Sequence, residues 1–197
     1  MRPALYLGLI MITFSKRIEQ ACAWIGKLSI WAMPILILAT LISIVMVQLR
    51  WNTLFSWGST IPLFGKDLTL SGLTDFQWHL FAVMTMLGGV YALRDNAHIS
   101  VDVIACKFSP RTRHIITILG DLFLLLPFSF IMTYFAWRYS MSAWVSGEAS
   151  SVGGLADRWI IKSIMPLGFG LLSLFGVARV LRMTLELFSS PSYIEKA

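Results

Sequence analysis

The sequence predicts an all-α integral membrane protein with four transmembrane helices and short interfacial amphipathic helices. Three observations predict it. Apolar residues make up 57% of the 197 and charged residues only 13%, where a soluble domain carries about 25% charged. The mean hydropathy is +0.74, and the apolar residues fall into four long runs instead of a scattered core. Lysine and arginine collect between those runs, where they set orientation and meet anionic lipid. The net charge of +6 therefore does not indicate a nucleic-acid partner.

Taken in order, residues 1–14 pair Arg2 with an apolar stretch, Ala4 to Phe14, that is too short to cross a bilayer. No small-x-small cleavage site precedes Lys16-Arg17, so this reads as an interfacial lead-in and not a secretion signal. From Ser15 to Lys27, Ile18, Cys22 and Ile25 fall at i, i+4 and i+7 among polar neighbours, the pattern of an amphipathic helix lying in the interface plane. Residues 1–27 form the expected N-terminal interfacial segment and residues 28–188 the four-helix domain.

The first span is expected at Leu28–Leu49, about 22 residues or ~33 Å of helix, with a mild kink at Pro34. Arg50–Gly72 is rich in aromatic residues: Trp51, Phe55, Trp57 and Phe64. That density suits either a segment resting among headgroups or a docking surface for another protein. The second span is Leu73–Arg94, with Gly88-Gly89 for close helix approach. The third is His114–Trp137, bent at Pro127, and the fourth Ile160–Leu181, with Gly168, Gly170, Ser173 and Gly176 as packing residues. Residues 189–197 are a polar tail.

Orientation follows from charge. The segments before span one, between spans two and three and after span four carry 4, 4 and 3 of the 16 lysines and arginines. The two opposite loops hold the other 5, and eleven against five puts both termini in the cytoplasm.

Two blocks go beyond hydropathy. The first is ALRDNAHISVDV, closing span two and opening the next loop with Arg94, His98 and Asp102. The second is GEASSVGGLADRWIIKSIMPLGF, from Gly147 to Phe169, with Glu148, Arg158, Trp159 and Lys162. In this order and at this separation they resemble the small membrane subunit (DctQ type) of tripartite ATP-independent periplasmic, or TRAP, transporters. With the hydropathy pattern, the resemblance extends over about residues 20–188.

The resemblance implies a scaffold subunit in a bacterial inner membrane. Its partners would be a large membrane subunit carrying the substrate and sodium sites, and a periplasmic substrate-binding protein. The process would be sodium-driven uptake of organic acids, typically carboxylates. It also implies that Arg94, His98 and Asp102 order a cytoplasmic loop near the large subunit. Glu148, Arg158, Trp159 and Lys162 would dock the binding protein or anchor the fourth span.

Read by themselves, the residues offer no chemistry. No nucleophile has a neighbouring base, and no phosphate-binding loop occurs. His79 falls near one membrane edge and His98 and His114 near the other, so no pair faces across a bundle to hold haem. His98 and Asp102 are two ligands where zinc needs three or four. Cys22 and Cys106 form no redox motif. Asp121 is the one acid well inside a run, about 10 Å from His114. It reads better as half of a buried pair with Arg179 or Arg94 than as a cation or proton site, because one carboxylate is a poor cage. No enzyme, cofactor or metal is expected. The rival classes are a four-helix membrane redox protein and a free-standing small exporter.

Overall fold

The computed structural model describes residues 3–95, 108–150 and 154–189. His98, Asp102 and Cys106 lie outside them. Among the described residues, four segments are long and apolar enough to cross a membrane: Ile10–Gln48, Leu70–Arg94, Pro110–Ser146 and Trp159–Phe188.

The first begins as α1 (Pro3–Leu28), tightens into a 3₁₀ turn (Ser29–Trp31) and continues as α2 (Ala32–Gln48). Pro34 explains the tightening. It has no N–H to give Ile30, and the turn just before it closes with shorter-range bonds, Ala32 N–H reaching Ser29 O. The Ser29 hydroxyl donates to Gly26 O at 2.6 Å, and the axis carries on. Leu28–Leu49 is therefore the outer part of a longer helical run. The amphipathic pattern over Ser15–Lys27 has protein on its inner side, where Cys22, Ala23, Gly26 and Ser29 are buried.

The aromatic segment after α2 is a β-hairpin, which the sequence reading did not foresee. β1 (Thr53–Ile61) pairs antiparallel with β2 (Gly65–Thr69). The strands satisfy each other's backbone groups, and the turn places Leu63 and Gly65 at positive φ (74° and 70°). Trp57 Nε1 donates to Gly65 O at 2.8 Å, and Phe64 packs on Phe76 with centroids 5.5 Å apart. The hairpin is thus folded down onto the helix that follows it.

That helix, α3 (Leu70–Arg94), is capped by Thr69, whose hydroxyl accepts from Gly72 N–H at 3.1 Å. α4 (Pro110–Gly120) starts on a Ser109 cap with proline in its first turn. It passes through a π turn (Asp121–Leu125) into α5 (Leu126–Ser146). Leu126 N–H bonds Asp121 O, five residues back, and this wider turn sits just before Pro127, which has no N–H to offer. Gly147 ends α5 in the left-handed conformation at φ 60°. A short α6 (Trp159–Lys162) then leads into α7 (Ile164–Ser189), the break lying just ahead of Pro166.

Close helix approach depends on glycine at three places. A Cβ on Gly26 would lie 2.7 Å from Leu87 O, bringing α1 against α3. One on Gly168 would lie 2.8 Å from Met86 Cβ, and one on Gly176 would lie 2.9 Å from Leu126 Cδ2. Gly168 and Gly176 are thus packing residues, as the sequence suggested. Gly89 has open space around it, and Gly170 meets only Thr133 at 3.9 Å. Two cores result: Cys22, Val90 and Phe175 join α1, α3 and α7, while Ala39, Met46 and Leu73 join α2 and α3.

Candidate functional site

Charged residues gather at both ends of the bundle. At the hairpin end, Glu148 lies just past α5 and Arg158, Trp159 and Lys162 lie on or beside α6. The fold brings all four together. Lys162 Nζ donates to Glu148 Oε2, Arg158 Nη1 stands 3.8 Å from Glu148 Oε1, and Arg158 N–H donates to Glu148 O at 3.0 Å. Trp159 stacks edge-on against Trp144 with centroids 4.3 Å apart, and the Lys162 ammonium lies 3.9 Å over the Tyr139 ring. The hydrogen bond from Lys162, helped by the Lys162 and Arg158 charges against some desolvation, holds the Glu148 carboxyl below the usual carboxylate range.

The loop between α5 and α6 is tied to both of its neighbours. Asp75 Oδ2 on α3 accepts from Leu155 N–H at 3.2 Å, and Ala156 N–H donates to Leu63 O at 2.9 Å in the hairpin turn. One turn along α3, His79 Nδ1 lies 2.6 Å from Asp75 O. A carbonyl only accepts, so Nδ1 carries the proton, and Nε2 is left buried with no hydrogen-bond partner among the described residues.

At the opposite end, Asp121 is 8% exposed, and its Oδ2 lies 3.2 Å from Arg179 Nε on α7. The contact is an ion pair short of hydrogen-bond geometry. The pairing is with Arg179, whereas Arg94 stands 3.9 Å from its own neighbour Asp95, both half exposed. Beside it, Arg182 Nε donates to Glu19 Oε1 at 2.8 Å and Arg182 Nη1 to Glu186 Oε2 at 3.1 Å, while Lys16 reaches Glu186 at 3.6 Å. His114 Nε2 lies 3.3 Å from Met183 O. The network binds α1 and α4 to α7.

A profile of the family described as tripartite ATP-independent periplasmic transporters, DctQ component, matches residues 62–186, more than half of the chain. The chain belongs to the DctQ family. No curated protein and no solved structure matches it. DctQ proteins are components of TRAP transporters, not enzymes, and membership implies association with the other TRAP components, the large membrane subunit and the binding protein. The match takes in β2, α3 to α6 and α7 up to Glu186, and so both charged ends apart from the α1 contributions of Lys16 and Glu19.

In this DctQ chain the structure places seven of the nine residues singled out from sequence. Glu148, Arg158, Trp159 and Lys162 form one cluster, Asp121 and Arg179 form a pair, and Arg94 lies at the end of α3. His98 and Asp102 fall outside the described residues. Arg182 and Glu186 stand at the i, i+4 spacing of a helical pair, but nothing so local links Glu19, 163 residues away from Arg182, to the network. The available hint was an acid and a base on the polar flank of an amphipathic helix.

Proposed function

We propose that this chain is the small scaffold subunit of a sodium-driven secondary transporter for organic acids, bracing the large transport subunit in the bacterial inner membrane. Both termini face the cytoplasm by the charge asymmetry of the loops. The hairpin end then faces the periplasm, where Glu148, Arg158, Trp159 and Lys162 are positioned to help dock a substrate-binding protein. Arg94, His98 and Asp102 belong to the cytoplasmic loop beside the large subunit.

One observation carries the scaffold reading. The helices are fastened at both ends by charged groups and between the ends by glycines that allow no Cβ, so the bundle is built to hold its shape. A brace for a moving neighbour needs that property. The described histidines, His79 and His114, bond to backbone carbonyls at opposite ends of the bundle, an arrangement that offers nothing to the redox alternative.

Reconstitution tests the proposal. Vesicles holding this chain alone should move no carboxylate. Vesicles holding the chain with its large subunit and binding protein should take up carboxylate only under an inward sodium gradient. Solute flux by the chain alone would favour the exporter reading, and a pigment spectrum in purified protein would favour the redox one.

A further inference from the structure

α3 serves as a depth gauge for α1 and α2. Gly26 abuts Leu87 and Tyr91, and Ser29 Oγ sits 3.5 Å from where a Cβ on Gly88 would be. Further along, Gln77 Nε2 donates to Ser43 Oγ at 2.6 Å, and Met46 packs with Leu73. The long N-terminal helix therefore runs antiparallel to α3 along α3's whole length. α3 has 25 residues, about 38 Å of helix for a hydrocarbon layer about 30 Å thick.

Lys27, next to Gly26, is thus level with Gly88. Arg94 is six residues further on (94 − 88), so Lys27 sits ~9 Å from that end of the helix. With the ~8 Å overhang shared between the two ends, it lies ~5 Å inside the hydrocarbon. Trp31 is four residues deeper, ~15 Å from the Arg94 end and close to mid-span. Gln20, Trp24, Lys27 and Trp31 are spaced i, i+4, i+7 and i+11, which puts them on one face. That face points away from the buried Cys22, Gly26 and Ser29, with the buried Ala23 on its flank. Trp24 is 63% exposed and Trp31 72%. Lys27 is exposed, with no ion pair or hydrogen bond among the described residues.

Lipid does not account for this stripe. Tryptophan belts lie at headgroup depth, whereas Trp31 lies near the middle. An unpaired cation inside the hydrocarbon is costly, and residues of this kind almost always face protein. A lysine side chain leans toward its helix N-terminus, here toward the nearer surface, but Trp31 has no comparable escape. Higher on α2 the exposed residues become plain aliphatics, Leu38, Leu41 and Val45, which lipid accepts.

We propose that the Trp24–Lys27–Trp31 face of the first helix is the surface that meets the large membrane-embedded transport subunit, which places an acidic group opposite Lys27. This rests on the scaffold reading and adds the face and its chemistry. The test is a benzophenone photo-cross-linking residue at position 31, and separately at Phe135 on α5, which is also more than half exposed. The full chain would be co-expressed with the large subunit of its own system.

The large subunit should be captured from position 31 and not from position 135. Capture from 135 alone overturns the assigned face while the scaffold reading stands. Lipid adducts alone at 31, with the large subunit still co-purifying, also overturn it. Failure of the large subunit to co-purify at all sinks both. Lys27→Met should lower recovery of the large subunit at least about tenfold, and Lys27→Arg should retain it. Undiminished recovery with Lys27→Met overturns the proposal, since that change favours a lipid-facing helix.

Discussion

The two ends of the bundle use charge differently. At the hairpin end, Glu148, Arg158 and Lys162 lie within 15 residues of sequence, and Glu148 and Arg158 are about a third exposed. At the opposite end, Glu19, Asp121, Arg179 and Arg182 come from three helices far apart in sequence, and their side chains are 11 to 22% exposed. An exposed local pair is screened and contributes little, whereas removing one member of a buried pair strands the other without water. The hairpin end is thus a surface that tolerates change, and the far end is a clamp. Aromatic packing and the backbone bonds to Leu63 and Asp75 reinforce the Glu148–Lys162 pair at the first, where only Lys162 is largely buried, while buried ion pairing orders the second.

The largest effect should come from breaking the clamp. Arg182→Ala leaves Glu19 buried and uncompensated and should lower stability by about 3–5 kcal/mol, measured by unfolding in detergent with tryptophan fluorescence. The double change Glu19→Leu with Arg182→Leu should recover most of that loss, because the buried carboxylate is gone and Glu186 keeps Lys16 at 3.6 Å. No recovery would mean that the pair does more than neutralise itself.

Next comes the middle of the bundle. Gly168→Val pushes a side chain into Met86, backbone included, and should cost about 1–3 kcal/mol. Gly89→Ala, where nothing lies within reach, should fall within about 0.5 kcal/mol of wild type. The same unfolding assay separates the two.

At the hairpin end the prediction concerns pH. The folded Glu148 carboxyl is held below its unfolded value, so its link to Lys162 contributes fully above the ordinary carboxylate range. That contribution fades as pH falls through the lowered value. The difference in midpoint between wild type and Glu148→Gln should therefore be present at neutral pH and vanish in acid. A difference that grows in acid would reverse the assignment. The smallest effect belongs to Asp95→Asn, whose half-exposed contact with Arg94 should change stability by no more than about 0.5 kcal/mol.

Much of this was legible in the sequence, for identifiable reasons. Long apolar runs gave the spans, and Pro34, Pro127 and Pro166 each lie within or beside a real irregularity in a helix. The depth of Asp121 made a buried partner necessary, and Arg179 was on the short list because of its depth on the fourth span. The hairpin was not legible, because its aromatic residues read equally well as an interfacial loop, and its turn falls at Leu63 and Gly65 with no Asn-Gly pair to announce it. Nor was the inner side of α1. An amphipathic pattern reports that one face seeks apolar cover, and bilayer and protein satisfy it alike. The Glu19–Arg182 pair followed only once α1 was seen against α7.

The π turn at Asp121–Leu125 has a genetic consequence. Residues five apart on a regular α-helix point well away from each other, yet Asp121 and Leu126 both reach α7, one to Arg179 and the other to Gly176. The turn holds one spare residue that absorbs the mismatch. Deleting a single codon there would leave an intact, even tidier helix, while swinging α4 about 100° around its own axis and carrying Asp121 and His114 off their partners. Lineages of this protein should therefore exchange the exposed Leu122, Phe123 and Leu124 freely but keep Asp121 and the length of the stretch.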